Sequence, residues 1–385
     1  MPGRSGRRGR IPVSLVTRYA TDREDTVVNV VITGGCGFLG SRLARDLLAA
    51  GELAVAGGPA RPLGRVTLID LAPVPPDVAA DQRVTGIRGD LLDLLAPRGA
   101  DPPLPGSAAP PPGSAARDAV ARAEVIFHLA AAVSGECEAD FDLGMRANLA
   151  ATEALLACCR HPGGNPVLVY SSSLAVFGDS PDHPLPAVVD DHTPPNPQTS
   201  YGTQKAMGEL LLADYTRKGY LRGRAVRLAT VAVRPGRPNA AASGFASSIV
   251  REPLAGRRAA CPVGPQTLVA LASPARAVAA LLRAATAAEH DWGGRGALLM
   301  PALTVSVAEI ADALRRVAGP GVSELIDWVP DPAVSRIVAG WPTRVRAERA
   351  ARLGLTADPD IDSVIRMHLA ERRRMHPAGR DRPPG

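Results

Sequence analysis

The chain of 385 residues, 46% of them hydrophobic, is long for one domain and ample for a large core. Its formal charge of +6 comes from two arginine-rich ends, residues 1–27 and 371–385, whereas residues 28–370 carry no net charge. The neutral body argues against a nucleic-acid groove, and without a long apolar run at the N-terminus we expect neither a secretory signal nor a membrane anchor.

A strand, a glycine-rich turn and a helix come first in the neutral part of the chain. The β-branched run at residues 28–33 predicts a buried parallel strand, and leucines at helical spacing predict a helix that ends near Ala50. Gly34, Gly37 and Gly40 allow a tight bend, a close approach of backbone to a pyrophosphate, and close packing of the helix on the strand. The free N–H groups at the start of such a helix bind phosphate. The residues predicted to contact a dinucleotide here are Gly34, Gly37, Phe38, Leu39 and Gly40.

A second strand is predicted at residues 65–70, and it ends in a carboxylate, Asp70. An acid at this position accepts hydrogen bonds from the adenosine ribose hydroxyls and repels a 2′-phosphate, so we expect NAD rather than NADP. Asp70 lies farther from the turn than the usual ~20 residues. We interpret residues 51–64, which are rich in Gly, Ala and Pro, as a loop insertion that explains the extra length.

Two further strands continue the alternation of strands and helices. Residues 84–88 predict the third strand, and residues 125–132 predict a fourth that runs into small residues. Small residues such as Ala130 and Ala131 are needed where backbone lies against a cofactor, so we expect both to contact it. We expect His128, in the same strand, to be a core histidine with satisfied hydrogen bonds rather than a catalyst.

Residues 167–173 predict a fifth strand that ends in three hydroxyl side chains, and Tyr201 and Lys205 open a later helix. Their i, i+4 spacing puts both side chains on one helical face. A tyrosine loses its proton near pH 10, and a neighbouring ammonium group lowers that pKa. We therefore expect Tyr201 to act as a general base toward an alcohol near neutral pH. Lys205 can also hydrogen-bond the nicotinamide ribose, and a serine hydroxyl can orient the substrate oxygen.

With these motifs, the chain from about Val28 to about Ala370 resembles the extended short-chain dehydrogenase/reductases, the NAD-dependent epimerase/dehydratase family. The resemblance implies a Rossmann-like α/β fold, a doubly wound parallel sheet with a smaller C-terminal substrate-binding lobe, and NAD as the cofactor. In the family stretch that here is SSSLAVFG, the catalytic Ser or Thr lies four residues before an aromatic residue. Phe177 replaces the aromatic tyrosine of the family, and counting back four residues from it identifies Ser173 as the catalytic serine. The resemblance also implies a catalytic role for Asn148. The remaining cofactor contacts that it implies are Asp90 at the adenine, Leu91 and Ser171.

The expected domain organisation follows from the same alternation. We expect an NAD-binding domain over residues 28–235, with a loop insertion at 96–116, and a substrate-binding lobe mostly over 236–370, with chain segments interleaved between the two. The ends, 1–27 and 371–385, are rich in Gly, Pro or Arg, and we expect disordered tails there.

The substrate side depends more on resemblance than on motifs. Four stretches resemble the members of that family that oxidise a short hydroxy acid: AVSGE from Ala132, DFDLGMR from Asp140, PQTSYG from Pro197 and RPGRPNAAAS from Arg234. A carboxylate needs hydrogen-bond donors, and an arginine can grip it through two parallel hydrogen bonds. Arg276 is one candidate, with an equal alternative as a solvated residue of a helix that begins at Ser273. The residues expected to hold the substrate are Ser134, Gly135, Ser173, Asn239 and Arg276.

Two other functions stay open at this point. The first is a nucleotide-sugar epimerase or dehydratase, although a dehydratase needs an acid directly after the catalytic Ser or Thr, where this chain has Leu174 and Ala175. The second is a non-catalytic NAD-binding sensor, which has no need of the Tyr/Lys pair that this chain keeps. The five cysteines contain no CxxC pair and the histidine spacing predicts no metal site. We expect a cytoplasmic enzyme that acts on a small hydroxy acid, without nucleic-acid or membrane partners, and with a homodimer as its assembly.

Overall fold

The computed structural model describes residues 27–96, 113–160, 164–236 and 241–375. Both expected tails lie outside the described residues, apart from Val27 and residues 371–375. Most of the expected loop insertion at 96–116 and the expected substrate contact Asn239 also lie outside them. Within the part of the chain that the structure describes, no helix combines the length and the apolar composition that crossing a membrane requires.

Strands and helices alternate along the described residues. The strands, in chain order, are β1 (Val28–Thr33), β2 (Glu52–Ala54), β3 (Ala60–Asp70), β4 (Val84–Arg88), β5 (Val125–His128), β6 (Val167–Ser173), β7 (Val189–Asp190), β8 (Arg222–Leu228), β9 (Thr230–Val231), β10 (Ala259–Cys261), β11 (Leu268–Ala272), β12 (Leu298–Leu299), β13 (Leu303–Ser306), β14 (Ile326–Trp328) and β15 (Val345–Arg346). The α-helices are α1 (Phe38–Ala50), α2 (Pro76–Ala79), α3 (Leu91–Leu95), α4 (Ser114–Arg122), α5 (Ser134–Ala139), α6 (Phe141–Gly144), α7 (Ala151–Cys158), α8 (Ser200–Arg217), α9 (Phe245–Leu254), α10 (Pro274–Thr286), α11 (Glu289–Trp292), α12 (Val307–Ala318), α13 (Pro320–Ser323), α14 (Pro332–Ala339), α15 (Glu348–Arg352) and α16 (Ile361–Met375). A π-helix spans Met145–Ala150, and short 3₁₀ helices span Leu174–Val176 and Ala242–Gly244.

The main sheet is parallel in the order β4–β3–β1–β5–β6–β8–β12, and β2 pairs with the start of β3 in the antiparallel sense. The strand order reverses at β1, which has β3 on one side and β5 on the other. In open α/β sheets, ligands bind at the carboxyl ends of the strands beside such a reversal. The structure therefore confirms the Rossmann-like, doubly wound fold predicted from the sequence, and it places the binding edge just after β1.

Alternate side chains of the central strands enter two separate cores. In β1, Ile32 packs in one core with Leu43 of α1, while Val31 packs in the other with Leu155 of α7. Successive side chains of a strand point to opposite faces, and here helices cover both faces. This is why the strands are continuous apolar runs in the sequence rather than alternating ones.

A smaller lobe, which we call the C-terminal lobe, is built around β9, β11 and β13, with β11 parallel to β9 and antiparallel to β13. Helices α9, α12 and α16 supply its core, which contains Ile249, Ile310 and Ile365. The chain from α10 to β12 then returns to the main sheet, where β12 pairs with β8 and Leu281 of α10 packs in the first core. The second half of the chain therefore contributes to both lobes.

Three local expectations differ from the structure. Residues 51–64 contain a hairpin rather than a loop, because β2 pairs with β3 across a turn in which Gly57 has a φ of +80°. Helix α4 begins at Ser114, inside the segment predicted to be a loop insertion. Helix α16 continues to Met375, where the sequence predicts a tail, and Arg372 secures it by donating to the Leu254 carbonyl oxygen at 2.6 Å.

Candidate active site

The glycine turn leaves no room for side chains between β1 and α1. Gly34 has a φ of +67°, and a Cβ there would lie 2.7 Å from the backbone nitrogen of Ala130. A Cβ on Gly40 would overlap the carbonyl oxygen of Gly34 and lie 2.7 Å from the Cα of Gly35. Helix α1 therefore begins directly against the turn, with Gly37 as an N-cap that has no side chain to satisfy the first N–H groups. Such free N–H groups form a cradle for a pyrophosphate.

Asp70 lies beside this cradle at the end of β3. Its Oδ2 accepts a hydrogen bond from the Cys36 backbone N–H at 2.9 Å, and its Oδ1 accepts one from Ala72 at 2.9 Å. Each carboxylate oxygen has a further lone pair for a ribose hydroxyl. Because Cys36 belongs to the glycine turn, the turn and the acid are held together as one unit.

A cavity of about 650 Å³ runs from the glycine turn along the carboxyl ends of the main strands to the C-terminal lobe. Its size is that of a typical cofactor or ligand site. The residues predicted to contact NAD all line it: Gly34, Gly37, Phe38, Leu39, Gly40, Asp70, Asp90, Leu91, Ala130, Ala131, Ser171, Tyr201 and Lys205. Asp90 also caps α3 by accepting the Leu92 N–H at 2.8 Å. The cradle, the acid and the small residues of the wall fit a dinucleotide.

Tyr201, Lys205 and Ser173 meet on the wall of this cavity. Helix α8 presents the first two side chains one turn apart, and Thr199 caps its N-terminus. Lys205 is 2% exposed, and its Nζ lies 5.7 Å from the centroid of the Tyr201 ring and 4.8 Å from that of the Tyr170 ring. A phenol, an ammonium group and a hydroxyl thus face one space, which is the set of groups that alcohol oxidation requires.

Burial opposes the ionised form of both helix residues. It raises the pKa of Tyr201 to about 12, although the interaction with the Ser173 side chain lowers it. Burial also lowers the pKa of Lys205 to about 8. In the pKa of Tyr201, desolvation therefore outweighs the hydrogen bond with Ser173. The role of Tyr201 as a general base assisted by Lys205 stays a prediction.

A buried ion pair, which sequence reasoning missed, lies behind the catalytic helix. Glu209, one turn after Lys205 on α8, accepts hydrogen bonds from Arg227 of β8 at 2.9 and 2.7 Å. Its Oε1 also accepts the Ser172 hydroxyl proton at 2.5 Å. The pair ties α8 to the ends of β6 and β8, so it fixes the position of Lys205 relative to the strand that carries Ser173. In the sequence, the i, i+4, i+8 spacing of Tyr201, Lys205 and Glu209 indicates that the three side chains share one face of the helix.

Asn148, predicted to be catalytic, does not line the cavity. Its Oδ1 accepts the Ala132 N–H at 2.8 Å, and its Nδ2 donates to the Gln204 Oε1 at 2.8 Å. It therefore joins the loop after β5 to α8, and the π-helix Met145–Ala150 turns its side chain toward both. The amide is buried and is used by these contacts, which position the loop and the helix. The catalytic role predicted for Asn148 stays a prediction.

His128 is a core histidine. Its Nδ1 lies 2.6 Å from the Thr33 hydroxyl and its Nε2 lies 2.9 Å from the Thr152 hydroxyl. Burial lowers its pKa to about 3, so it stays neutral at physiological pH. The structure confirms the expectation of a core histidine with satisfied hydrogen bonds.

The predicted substrate contacts divide into three groups. Ser134 and Ser173 line the cavity, and the Ser134 hydroxyl accepts the Ala242 N–H at 3.1 Å, which joins the two lobes. Gly135 and Arg276 do not line it, and Asn239 lies outside the described residues. Arg276 follows the cap of α10 and its Nε lies 3.9 Å from an oxygen of Asp358, so the carboxylate beside it belongs to the chain itself. The assignment of Gly135 and Arg276 as substrate contacts stays a prediction that the cavity lining does not support.

Three other polar residues, which belong to the AVSGE and RPGRPNAAAS stretches but were not predicted individually as substrate contacts, line the same cavity: Glu136, Arg234 and Ser243. Glu136 caps α5, where its Oε2 accepts the Val133 N–H at 2.9 Å. Arg234 follows β9 within the RPGRPNAAAS stretch, which was the only sequence signal for it. Among the described residues no cluster of His, Cys, Asp and Glu is arranged to hold a metal ion.

Comparisons with known proteins agree with this geometry. Residues 113–270 match the model of the NAD-dependent epimerase/dehydratase family. The chain is 47% identical over 344 residues to D-erythronate dehydrogenase of Cupriavidus necator, which covers 89% of this chain and 98% of that protein. It is 38% identical over 343 residues to D-erythronate dehydrogenase of Haemophilus influenzae, with 89% and 99% covered. The crystal structure of a nucleoside-diphosphate-sugar epimerase from Agrobacterium tumefaciens superposes with a TM-score of 0.76 and 39% identity, over 92% of this chain and 98% of that one.

Proposed function

The chain belongs to the NAD-dependent epimerase/dehydratase family and is an NAD-dependent oxidoreductase, and we propose that it oxidises D-erythronate at C2. One observation carries the proposal: Tyr201, Lys205 and Ser173 face the same cavity as the glycine cradle. The names of the relatives from Cupriavidus necator and Haemophilus influenzae supply the identity of the substrate. The product would be 2-dehydro-D-erythronate.

The reaction removes a hydride from C2 and the proton from the C2 hydroxyl, and it yields the ketone, NADH and one proton. NAD, when bound, supplies the hydride acceptor. In our proposal Tyr201 accepts the hydroxyl proton as general base. The Ser173 hydroxyl orients the substrate oxygen toward it, and Lys205 holds the ribose next to the nicotinamide while its charge favours the phenolate.

The cofactor-binding residues have separate roles in this proposal. The N–H groups at the start of α1, beside Gly37, bind the pyrophosphate. Asp70 accepts hydrogen bonds from the adenosine ribose hydroxyls and excludes a 2′-phosphate. Asp90 borders the adenine, and Ala130 and Ala131 allow the cofactor to lie against the backbone after β5. Asn148 and Glu209 act indirectly, since they fix the loop and the helix that carry these groups.

The dehydratase alternative has less support. A dehydratase needs an acid directly after the catalytic Ser or Thr, but Leu174 and Ala175 line the cavity at these positions. Neither side chain can donate or accept a proton. The sensor alternative has no specific observation in its favour, because the phenol, ammonium and hydroxyl groups are all retained at the cavity.

A substrate panel tests the proposal. The purified chain is mixed with NAD and with D-erythronate, L-threonate, erythritol or UDP-glucose, and NADH is followed by its absorbance. We expect oxidation of D-erythronate and little oxidation of erythritol, since a site built to hold a carboxylate rejects an analogue that lacks one. Turnover of UDP-glucose, or equal rates with erythritol and D-erythronate, would contradict the proposal.

We also propose a cytoplasmic homodimer. The cysteines among the described residues are all free, which supports a reducing compartment. Helices α6 and α8, which pack against each other, expose Phe141 at 61% and Leu210 at 72%, and a contiguous apolar patch built from such side chains would mark an interface. Light scattering on the purified protein tests the dimer, and a monomer at micromolar concentration would contradict it.

A further inference from the structure

Arg234 brings a positive charge to the wall of the cavity. It follows β9 and lines the cavity together with Ser134 and Ser243. The hydrogen bond between Ser134 and Ala242 joins the two lobes. Leu174, Ala175 and residues of β11 contribute apolar side chains to the cavity wall.

The backbone N–H and the backbone carbonyl oxygen of Arg234 both form hydrogen bonds. Its N–H donates to the Ser247 hydroxyl at 3.0 Å, and its carbonyl oxygen accepts from Arg251 Nη1 at 2.8 Å. Arg251 is in turn paired with Glu252 at 2.8 Å. These hydrogen bonds fix the backbone of Arg234 and do not involve its side chain.

The guanidinium group of Arg234 has no carboxylate partner among the residues described. The buried Arg224 and Arg227 each form an ion pair at 2.7 Å, with Glu289 and Glu209. Arg234 instead lies half-buried with its Cζ 5.9 Å from the centroid of the Phe38 ring. Burial and the neighbouring Arg251 lower its pKa, whereas the charge of Glu136 raises it. A half-buried guanidinium group with no hydrogen-bonded carboxylate among the described residues is costly to a fold, and an anionic ligand reduces that cost.

The surroundings of Arg234 favour a singly charged ligand that also carries hydroxyl groups. Glu136 also lines the cavity, and its charge acts on Arg234, but the two side chains form no ion pair among the described residues. The Oε2 of Glu136 accepts the Val133 N–H. Its second oxygen can accept a hydroxyl proton of a polyol. Its charge disfavours a diphosphate, which would bring two negative charges next to it.

We propose that Arg234 binds the carboxylate of the substrate and thereby selects a sugar acid over the corresponding polyol. The planar guanidinium group can form two parallel hydrogen bonds to a carboxylate. The inference rests on the proposed function for the choice of D-erythronate as the acid. Arg234 takes the role that the sequence assigned to Arg276, which faces Asp358 instead.

Kinetics of Arg234→Gln test the inference, because glutamine keeps a polar side chain and removes the charge. We expect KM for D-erythronate to rise roughly 10- to 150-fold, the loss that follows from removing a charge-assisted hydrogen bond. The Kd for NADH should not change. Arg234→Lys should fall between wild type and Arg234→Gln, because it keeps the charge and loses the paired geometry. Added guanidinium ion should restore part of the rate of Arg234→Ala, which a merely structural role would not allow.

Two arginine variants serve as comparisons. Arg276→Gln tests the rival assignment, and Arg366→Gln removes an exposed arginine of α16 as a matched control. If Arg276→Gln raises KM and Arg234→Gln does not, the inference is wrong. It is equally overturned if Arg234→Gln raises the Kd for NADH and leaves KM for D-erythronate unchanged, since Arg234 would then bind the cofactor pyrophosphate.

Ligand binding separates failure of this inference from failure of the proposed function. The melting temperatures of NADH-saturated wild type and Arg234→Gln are measured with D-erythronate, L-threonate or erythritol. If wild type does not oxidise D-erythronate, but one of the acids stabilises wild type and not Arg234→Gln, the proposed function fails and the assignment of Arg234 stands. If neither acid stabilises wild type, or both proteins respond equally, the assignment is overturned.

Discussion

Replacing Lys205 with methionine is expected to stabilise the folded chain at neutral pH while removing its activity. Lys205 is buried, and the pKa of its ammonium group falls from an ordinary 10.5 to about 8 because burial penalises the charge. Between these two values the unfolded chain binds a proton that the folded chain does not, so the stability of wild type rises with pH there. Below pH 8 the folded wild type carries the full cost of the buried charge. Methionine has a similar length and no charge.

The expected size of the effect follows from two opposing contributions. The fall from 10.5 to about 8 corresponds to ~3 kcal/mol when the pH is below both values. The ring of Tyr170, 4.8 Å from the ammonium group, offsets up to ~2 kcal/mol of this in a desolvated site. The net gain for Lys205→Met at pH 7 is therefore ~1–2 kcal/mol. It should decline as the pH rises from about 8 toward 10.5, where lysine becomes neutral in both states.

Thermal denaturation of wild type and Lys205→Met at pH 7 and at pH 10 measures this difference, with NADH formation as the activity assay. Lys218→Met is the matched control, because Lys218 is the only other lysine of the chain and is exposed at the end of α8. We expect a higher melting temperature for Lys205→Met at pH 7, a smaller difference at pH 10, and no change for Lys218→Met. A lower melting temperature for Lys205→Met at pH 7 would refute the reasoning, since the ammonium group would then make net favourable contacts.

Three further variants test the cavity. Tyr201→Phe should lose ~10²–10⁴-fold in kcat while the Kd for NADH stays the same, and near-normal turnover would remove Tyr201 from the mechanism. Asp70→Ala should weaken NAD binding and narrow the preference for NAD over NADP in kcat/KM, whereas equal use of both cofactors by wild type would contradict the role of Asp70. Gly40→Ala should abolish NADH binding in a fluorescence titration, because its Cβ has no space beside Gly34, and Gly321→Ala, which has open space, is its control. Normal NADH affinity in Gly40→Ala would show that the turn can widen.

The cofactor half of the site could be predicted from the sequence because its parts are close together in the chain. Gly34, Gly37 and Gly40 lie within one strand–turn–helix unit, and Tyr201 and Lys205 lie one helical turn apart. Local backbone geometry alone determines how such residues face each other. Parallel strands then bring the end of β3, with Asp70, to the same edge of the sheet.

The substrate half was decided by tertiary structure. Arg234 and Arg276 look alike in the sequence, since each follows a strand and each is a possible donor to a carboxylate. Only the packing of α10 on the main sheet, which places Arg276 beside Asp358, leaves Arg234 as the arginine on the cavity wall. The choice depends on a residue 82 positions away from Arg276, and no local pattern contains it.

The same reason explains why the surroundings of Asn148 and Tyr201 could not be predicted from the sequence. The side chain of Asn148 is turned away from the cavity by a π-helix and used by Ala132 and Gln204, which belong to two other segments. The sign of the pKa change of Tyr201 depends on how completely distant segments exclude water from it. Spacing along the chain determines which groups can meet, whereas burial and long-range contacts decide which of them face the ligand and in which protonation state.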